Sequence, residues 1–259
     1  MTRIVTAIVL IPLVVWVALA APLWAFLSVC AAVGAAAFAE FDALAAAHGG
    51  TRSGWPGMAL GVAWLLAPDR MSLALLVLAA MTLILLSLRV RDLSHALGGA
   101  AAGLLGILYI FGAWRCAVGL REINPHWLMI ALLVSWVGDT AAYYVGRSYG
   151  RQKLAPRISP AKTKEGALAS VTAGMIAAAV YAHFFIEAAP LWAVLGTGAV
   201  ANIAGQLGDL AESAFKRGAG VKDSGSILPG HGGWLDRIDS SLFAIPAVYG
   251  VFRIVLEIF

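Results

Sequence analysis

Long apolar runs separated by short polar stretches dominate the pattern of the chain. The runs are continuous rather than alternating, which favours membrane-spanning helices over β-barrel strands, and a spanning helix needs about 20 mostly apolar residues. Nine runs approach that length, at roughly 4–20, 23–45, 55–67, 71–88, 95–114, 127–146, 166–187, 190–211 and 240–258. The third is short and ends against Pro68, so the exact helix number around residues 55–68 is left open. The pattern predicts an all-α, polytopic integral membrane protein with about nine transmembrane helices.

The composition supports this prediction. Of the 259 residues, 61% are hydrophobic and 12% are charged, whereas soluble domains carry about 45–50% apolar and about 25% charged residues. Such a chain needs the bilayer as its main solvent. Cys30 and Cys116 lie in or beside apolar runs without a Cys-x-x-Cys spacing, so we interpret them as small buried hydrophobes and not as zinc ligands or a disulfide.

The distribution of basic residues predicts an orientation. Nine spans would place 14 lysines and arginines on the side of the N-terminus and 4 on the other side. Under the positive-inside rule the first side is cytoplasmic. Two loops, at 147–165 and 213–238, supply most of this charge, so both are expected on the cytoplasmic side. The net charge of +4 is therefore attributed to basic loops that set the orientation in the membrane, and no nucleic-acid partner is expected.

The first of three polar islands is Asp139, which lies within the otherwise apolar run 127–146. An acid inside a membrane is costly and usually faces a cavity or a partner. Asp139 is therefore predicted to face a cavity or a partner group, and the alternative is an ion pair that helps two helices to pack.

The second island is the basic loop before residue 166. Its segment Ser159-Pro160-x-Lys162-Thr163-Lys164-Glu165-Gly166 combines hydroxyls and lysines just ahead of a predicted helix N-terminus. The exposed N–H groups and the dipole of a helix N-terminus favour anions. Ser159, Lys162 and Lys164 are therefore predicted to contact a phosphate-bearing substrate. A topology anchor that faces anionic lipids is the alternative.

The third island begins inside a helix. Asn202, Gln206, Asp209 and Glu212 follow one another at spacings of four, three and three residues, which puts them on one helix face. A polar face cannot point into lipid at acceptable cost. It is therefore predicted to line a polar cavity open to the cytoplasm.

The chain then enters the stretch Ser213–Asp239, which combines acids, bases and glycines. Its aspartates offer hard oxygen ligands suited to Mg²⁺, its basic side chains can neutralise phosphates, and its glycines let backbone amides approach an anion. The metal-ligand candidates among the aspartates of this helix face and stretch are Asp209, Asp223, Asp236 and Asp239. The candidate catalytic residues are Lys216, Arg217, Lys222, Arg237 and Asp236. A solvated charged loop would explain the charges, but not the polar helix face that leads into it.

Several familiar nucleotide and hydrolase motifs are missing from the sequence. It contains no Gly-x-x-x-x-Gly-Lys-Ser/Thr phosphate loop, no His-Glu-x-x-His and no Gly-x-Ser-x-Gly. The Asp-x-x-Asp-Gly-x-x-Ala-Arg pattern of the CDP-alcohol phosphotransferases is also missing.

The third island resembles the phosphatidate cytidylyltransferase (CDP-diacylglycerol synthase) family. The family spacing is matched by a set of fixed positions: Ser213, Lys216, Arg217, Lys222, Asp223, Gly225, Leu228, Pro229, His231, Gly232, Gly233, Trp234, Asp236, Arg237 and Asp239. Trp234 stands where the family usually has an aliphatic residue or Phe. The blocks at 138–147, 158–166 and 208–213 are also similar, whereas the chain before residue 130 matches only in hydropathy and in its opening Arg3-Ile4-x-Thr6-Ala7.

The resemblance implies that CTP and phosphatidate react to give CDP-diacylglycerol and pyrophosphate. It also implies Mg²⁺ dependence, with room for a second cation, and a homodimer in a bacterial plasma (inner) membrane. By matching position, the resemblance implies Asp209 and Asp236 as the leading metal ligands, followed by Asp239, Asp223 and Asp139. Predicted substrate contacts come from Asn202, Ser213, Gly232, Gly233 and His231, besides Ser159, Lys162 and Lys164.

The chain is expected to form a single membrane domain with two functional parts. Helices of residues 1–126 would serve as scaffold and possible dimer interface, and residues 127–259 would carry the catalytic region. Two alternatives stay open: a related lipid nucleotidyltransferase or kinase with another lipid acceptor, and a cation transporter that uses Asp139 and Asp209.

Overall fold

The computed structural model describes residues 2–49, 51–90, 92–187, 189–225 and 232–253, with side chains described from residue 10 onward. The chain is almost wholly helical. Its helices are α1 (Thr2–Leu19), α2 (Leu23–Ala47), α3 (Gly54–Leu66), α4 (Asp69–Ser87), α5 (Ala96–Gly106), α6 (Ala113–Ile123), α7 (Pro125–Tyr149), α8 (Lys164–Phe185), α9 (Leu191–Gly218), α10 (Leu235–Ile238) and α11 (Ser241–Val251). Two short strands, β1 (Lys153–Ala155) and β2 (Ser159–Thr163), pair antiparallel between α7 and α8.

Five helical segments of the described chain are long and apolar enough to cross a membrane. They are α2, α4, α7, α8 and the continuous segment Leu93–Ile123, in which a π-helical stretch, Ile107–Gly112, joins α5 to α6. Leu10–Leu19 and Gly54–Leu66 are apolar but shorter. The all-α, multi-span prediction is thus confirmed, while the predicted number of nine spans is not confirmed.

Several helices extend beyond their predicted ends. Helix α9 continues to Gly218, so Ser213, Lys216 and Arg217 lie in its last two turns and not in a loop as predicted. Helix α7 likewise continues to Tyr149. Helix α11 begins at Ser241, next to the predicted start of the last span at residue 240, and the short helix α10 lies inside the segment predicted as the loop 213–238. Polar side chains at helix ends lower the hydropathy without ending the backbone hydrogen bonding, which is why hydropathy alone placed these boundaries too early.

The chain forms two compact units, and the first consists of Met1–Ala21, Cys116–Ala214 and Ile238–Phe259. In it, α7 packs against α8, α1 and α11. Asn202 of α9 donates from Nδ2 to the carbonyl of Val134 in α7 at 3.0 Å. Gly138 and Gly174 leave room for the Asn202 amide, because a Cβ at Gly174 would lie 3.0 Å from its nitrogen. Polar packing inside the apolar bundle thus fixes α9 against α7 and α8.

The second unit consists of Pro22–Arg115 and Phe215–Arg237. Its core includes Phe38 and Phe111, with ring centroids 5.7 Å apart. The small-residue face of α5 packs inside this unit: added Cβ atoms would meet Ser53 and Leu83 at Gly103, and Phe38 and Phe41 at Gly106. Gly103 and Gly106 therefore allow close helix packing inside this unit.

Charged side chains fix both ends of the short helix α3. Asp42 accepts hydrogen bonds from the Ser53 and Gly54 amides at 2.8 and 2.9 Å and from the Ser53 hydroxyl at 2.7 Å. Arg115 donates to the carbonyls of Trp64 and, at 2.9 Å, Ala67. These bonds satisfy groups that a helix end leaves without partners, so a 13-residue helix is held in a defined position.

Candidate functional site

A polar cavity of about 690 Å³ lies in the first unit, between α7, the β1–β2 hairpin, α8 and α9. It contains three cationic and two anionic side chains among the described residues. Its lining consists of Asp139, Ala142, Tyr143, Gly146, Arg147, Gly150, Lys153, Leu154, Ala161, Lys162, Thr163, Gly166, Ala167, Ser170, Gln206 and Asp209. The first two polar islands and the helix face that opens the third therefore meet at one cavity.

An ion pair joins the loop island to the helix island. Lys162 Nζ lies 2.5 Å from Asp209 Oδ2, and the two side chains are 27% and 30% exposed. The other carboxylate oxygen of Asp209 accepts a weaker hydrogen bond from the Ser213 hydroxyl, at 3.3 Å. Both charges stay accessible from the cavity, so they can exchange partners with an entering ligand.

The β1–β2 hairpin holds Lys162 in place. Glu165 accepts hydrogen bonds from the amides of Arg151 and Gln152 at 3.1 and 3.2 Å, which ties the two ends of the hairpin together. Thr163 caps α8, because its hydroxyl accepts from the Gly166 amide at 3.1 Å. Lys162 therefore projects from a short strand directly before a capped helix, on a backbone fixed at both sides.

Further cationic and hydroxyl groups complete the cavity wall. Arg147 donates to the Tyr143 hydroxyl at 2.8 Å and lines the cavity with Lys153. Ser170 is buried, and its hydroxyl has no hydrogen-bond partner among the described residues. A buried polar group without a partner is costly, so Ser170 is suited to bind a polar ligand. The sequence analysis missed Ser170, because one serine in an alanine-rich helix gives no signal.

The other predicted substrate contacts of this region lie outside the cavity lining. Asn202 is 2% exposed and is used for packing against α7, and it accepts from Gln206 at 2.7 Å. Lys164 donates to the Gln152 side chain at 3.1 Å. Ser159 pairs with Ala155 in the hairpin. Roles of Asn202, Lys164 and Ser159 in substrate binding stay predictions.

The second unit holds a separate polar cluster around Asp236. Its Oδ1 accepts from Lys216 Nζ at 2.5 Å, and its Oδ2 accepts from the amides of Ser224 and Gly233 at 2.9 and 2.8 Å. Burial by itself would raise the pKa of Asp236. The hydrogen bonds from Lys216, Gly233 and Ser224 outweigh it and lower the pKa to about 2. Asp236 is therefore ionised at neutral pH and organises the chain around it.

Glu40 of α2 is the partner of this cluster that sequence analysis missed. It is 5% exposed and accepts hydrogen bonds from the amides of Trp234 and Leu235 at 3.0 and 2.9 Å. The Ser224 hydroxyl lies 2.9 Å from carboxylate oxygens of both Glu40 and Asp236, and its single proton can serve one of them at a time. A separation of 184–195 residues hides this network from any local pattern.

Glycines make room for the Glu40 carboxylate. A Cβ at Gly225 would lie 2.5 Å from Glu40 Oε1, and a Cβ at Gly233 would lie 2.6 Å from its carboxylate carbon. Gly232 has φ +77°, a backbone conformation that other residues rarely adopt. The predicted contacts of Gly232 and Gly233 with substrate stay predictions, since the positive φ of Gly232 and the packing of Gly233 against Glu40 already explain why these residues are glycines.

The remaining predicted residues of the third island are dispersed. Lys222, Asp223, Arg217 and Arg237 are exposed in the second unit, where Arg217 donates to the carbonyl of Val221 at 3.2 Å. Asp239 belongs to the first unit and accepts from the Ser240 amide at 2.6 Å. His231 lies outside the described residues.

The positions of the candidate carboxylates show which of them lie close enough to share a metal ion. Within the described ranges, no three His, Cys, Asp or Glu side chains come together as a metal-binding group. Asp139 and Asp209 do line one cavity. Mg²⁺ is often bound by one or two carboxylates together with substrate phosphates and water. These two residues fit such a site, and the metal roles of Asp223, Asp236 and Asp239 stay predictions.

Comparison with known proteins places the chain in a family. Residues 1–255 match the Cytidylyltransferase family. Over 170 residues the chain is 42% identical to a protein of Staphylococcus haemolyticus (strain JCSC1435), 43% identical to one of Staphylococcus saprophyticus and 40% identical to one of Staphylococcus aureus (strain COL). All three are named phosphatidate cytidylyltransferase. The matched part covers 65% of this chain and 65% of each relative.

The family match extends over both units. The apolar helices of the chain make it a multi-pass membrane protein. On this evidence, the chain belongs to the cytidylyltransferase family.

Proposed function

We propose that this protein transfers the CMP group of CTP to phosphatidate, giving CDP-diacylglycerol and pyrophosphate in phospholipid biosynthesis. The observation that carries the proposal is the cavity lined by Lys162, Asp209 and Asp139, in a chain of the cytidylyltransferase family. The names of the bacterial relatives support CTP and phosphatidate as the two substrates.

The charges of the cavity suit a nucleoside triphosphate. Lys162, Lys153 and Arg147 can each bind phosphate oxygens, and arginine can do so with two parallel hydrogen bonds. Repulsion from Asp139 and Asp209 would oppose an anion bound alone, so a divalent cation is expected to enter with the triphosphate.

An apolar groove favours a lipid as the acceptor. The groove, of about 480 Å³, runs along the same pair of helices, α7 and α8, and includes Val137, Ala173 and Phe184. Ala173 is about one helical turn from Ser170 on α8, so the groove and the polar cavity lie along the same face of this helix. A phosphatidate headgroup in the cavity would leave its acyl chains in this groove.

The reaction requires positioning and charge neutralisation more than acid–base chemistry. A phosphate monoester has a second pKa near 6, so the phosphatidate phosphate is already a nucleophile at neutral pH. One of its oxygens bonds to the α-phosphorus of CTP while the bond from that phosphorus to the bridging oxygen breaks, and pyrophosphate leaves. Lys162, Lys153 and Arg147 would orient the phosphates in line and share the developing charge.

Asp139 and Asp209 are the residues of this cavity that would hold Mg²⁺, with a second cation left open. Bound Mg²⁺ supplies Lewis-acid stabilisation of phosphoryl oxygens. Asp209 uses one oxygen for Lys162 and the other for Ser213, so both contacts position this carboxylate at the cavity wall.

The test is CDP-diacylglycerol formation by purified protein in detergent, with radiolabelled CTP, phosphatidate and Mg²⁺. Asp209→Asn and Asp139→Asn are each expected to lower kcat/KM by about 10²-fold or more. Glu122→Gln is the control, because Glu122 is an exposed carboxylate of α6 outside the cavity lining. Turnover close to that of the unmodified protein in both cavity variants would remove the cavity from the mechanism.

Assays on the same purified protein distinguish the proposed reaction from two alternative functions. A lipid kinase or nucleotidyltransferase with another acceptor would leave phosphatidate unreacted and modify a different lipid in an acceptor screen. A cation transporter that uses Asp139 and Asp209 would give ion flux in liposomes without CTP consumption. The cationic side chains of the cavity favour phosphoryl chemistry over transport.

We further propose a homodimer in a bacterial plasma membrane with the β1–β2 hairpin in the cytoplasm. Bacterial relatives and the basic hairpin support this arrangement. Arg157→Cys places a thiol in the exposed turn between β1 and β2. A membrane-impermeant maleimide should label it in inverted vesicles and not in intact cells. Light scattering of the detergent complex tests the dimer.

A further inference from the structure

A second polar cavity, of about 220 Å³, lies in the second unit where α2 joins α3 and where α4 ends beside the start of α5. It combines cationic, hydroxyl and apolar side chains with the backbone of α5. Its lining consists of Thr51, Arg52, Ser53, Leu83, Leu86, Ser87, Arg89, Val90, Gly99 and Ala100. None of these residues belongs to the cavity of the first unit.

Two arginines give this cavity its charge. Arg52 and Arg89 are exposed, and neither guanidinium group makes a hydrogen bond or ion pair with another residue in the part of the chain that the structure describes. The neighbouring carboxylates are already engaged. Asp42 is buried and accepts from Ser53 and Gly54, and Asp92 accepts from the Ser94 amide and lies 3.7 Å from His95. The cavity therefore presents two guanidinium groups for an anion.

The cavity lies at the level where spanning helices end. Helices α2 and α4, both long enough to cross a membrane, end at Ala47 and Ser87. Polar groups at the ends of spanning helices meet lipid headgroups. Leu85 of α4 and Leu97 of α5 are 62% and 82% exposed, so apolar surface for acyl chains adjoins the polar cavity.

We propose that this cavity binds the phosphate of an anionic phospholipid headgroup. Guanidinium groups bind phosphate oxygens bidentately, and the Thr51 hydroxyl at the wall can add a hydrogen bond. Gly99 makes this wall possible, since a Cβ there would collide with the Thr51 hydroxyl. A topology anchor alone requires positive charge near the membrane, whereas here two arginines line one cavity together with hydroxyl groups.

The experiment measures lipid retained by the full-length protein, using native mass spectrometry with phosphatidylglycerol in a phosphatidylcholine background. Arg52→Gln and Arg89→Gln are each expected to reduce the phosphatidylglycerol adduct several-fold. Arg70→Gln is the matched control: it removes one exposed arginine from the same unit, at the other end of α4. Phosphatidylglycerol binding in this assay requires no CTP turnover, so its result is independent of the proposed reaction.

Three outcomes would overturn the proposal. One is an unchanged adduct in both Arg52→Gln and Arg89→Gln, and another is an equal loss in Arg70→Gln, which would show general charge attraction. The third is complete displacement of lipid by inorganic phosphate in a parallel titration, which would assign the cavity to free phosphate. Lysine variants at 52 and 89 replace any glutamine variant that does not fold, and their adduct is expected to fall between the two extremes.

Discussion

Replacing Glu40 removes the acceptor that holds the chain around Asp236. In Glu40→Ala, the amides of Trp234 and Leu235 lose their carboxylate partner in a buried environment. Each unsatisfied buried donor costs about 1–3 kcal/mol, so the expected loss of unfolding free energy is about 2–5 kcal/mol. This magnitude falls among the large effects of single substitutions.

Glu40→Gln gives a sharper test of the same network. Its single amide oxygen can keep the bonds from Ser224 and Leu235, but its NH₂ group then faces the Trp234 amide, donor against donor. At least one bond is lost, which predicts a cost of about 1–3 kcal/mol. Glu122→Gln is the control, because Glu122 is an exposed carboxylate of α6 and its substitution is expected to change stability by less than about 0.5 kcal/mol.

The assay is thermal unfolding in detergent, combined with the rate of CDP-diacylglycerol formation below the unfolding transition. The expected order of Tm is unmodified protein and Glu122→Gln highest, then Glu40→Gln, then Glu40→Ala. Because Glu40 binds the chain next to Asp236, activity should fall with it. Equal Tm values for Glu40→Ala and Glu122→Gln would refute the reasoning, since the buried amides would then have found other partners.

Three further predictions concern other positions. The pKa of Asp236 is about 2, below its ordinary 3.8, so its ionised form adds about 2 kcal/mol of stability above pH 4 that is lost as the pH falls towards 2. The Tm difference between unmodified protein and Asp236→Asn should be constant from about pH 5 to 7 and narrow below about pH 4; a constant difference at the lowest pH would contradict this. Gly99→Ala should lower the unfolding free energy by about 1–3 kcal/mol through its collision with Thr51. Gly98→Ala, with open space around its Cβ, should not lower the Tm in the same melts. Lys162→Met should reduce kcat/KM for CTP by about 10²-fold in steady-state kinetics, and an unchanged value would exclude Lys162 from phosphate binding.

The helical membrane fold was predictable because composition and run length report the bilayer directly. The number of spans was not, since helix ends are decided by backbone hydrogen bonding and capping. The β1–β2 hairpin was also missed. Its strands are three and five residues long, too short for an alternating pattern to show.

The site was predictable where one helix face or one short segment carries the signal. Asp209 and Gln206 line the first cavity as expected from their spacing, and Lys162 joins them. Asn202 and Glu212 share that face but are buried, because a polar face can also pack against neighbouring helices. Glu40 could not be found in this way, because its partners Ser224, Trp234 and Leu235 lie 184–195 residues away in the sequence.

Glu40 and Asp42 lie half a helical turn apart, yet they gain their partners at very different moments of synthesis. Asp42 is satisfied by Ser53 and Gly54, 11 and 12 residues later. The partners of Glu40 are synthesised 184–195 residues later. At roughly 5–20 residues per second, their synthesis follows that of Glu40 by on the order of 10–40 s. During that interval a helix already in the membrane carries an uncompensated acid. A chain truncated before Ser224 would lack the partners of Glu40 and would keep this buried acid uncompensated permanently.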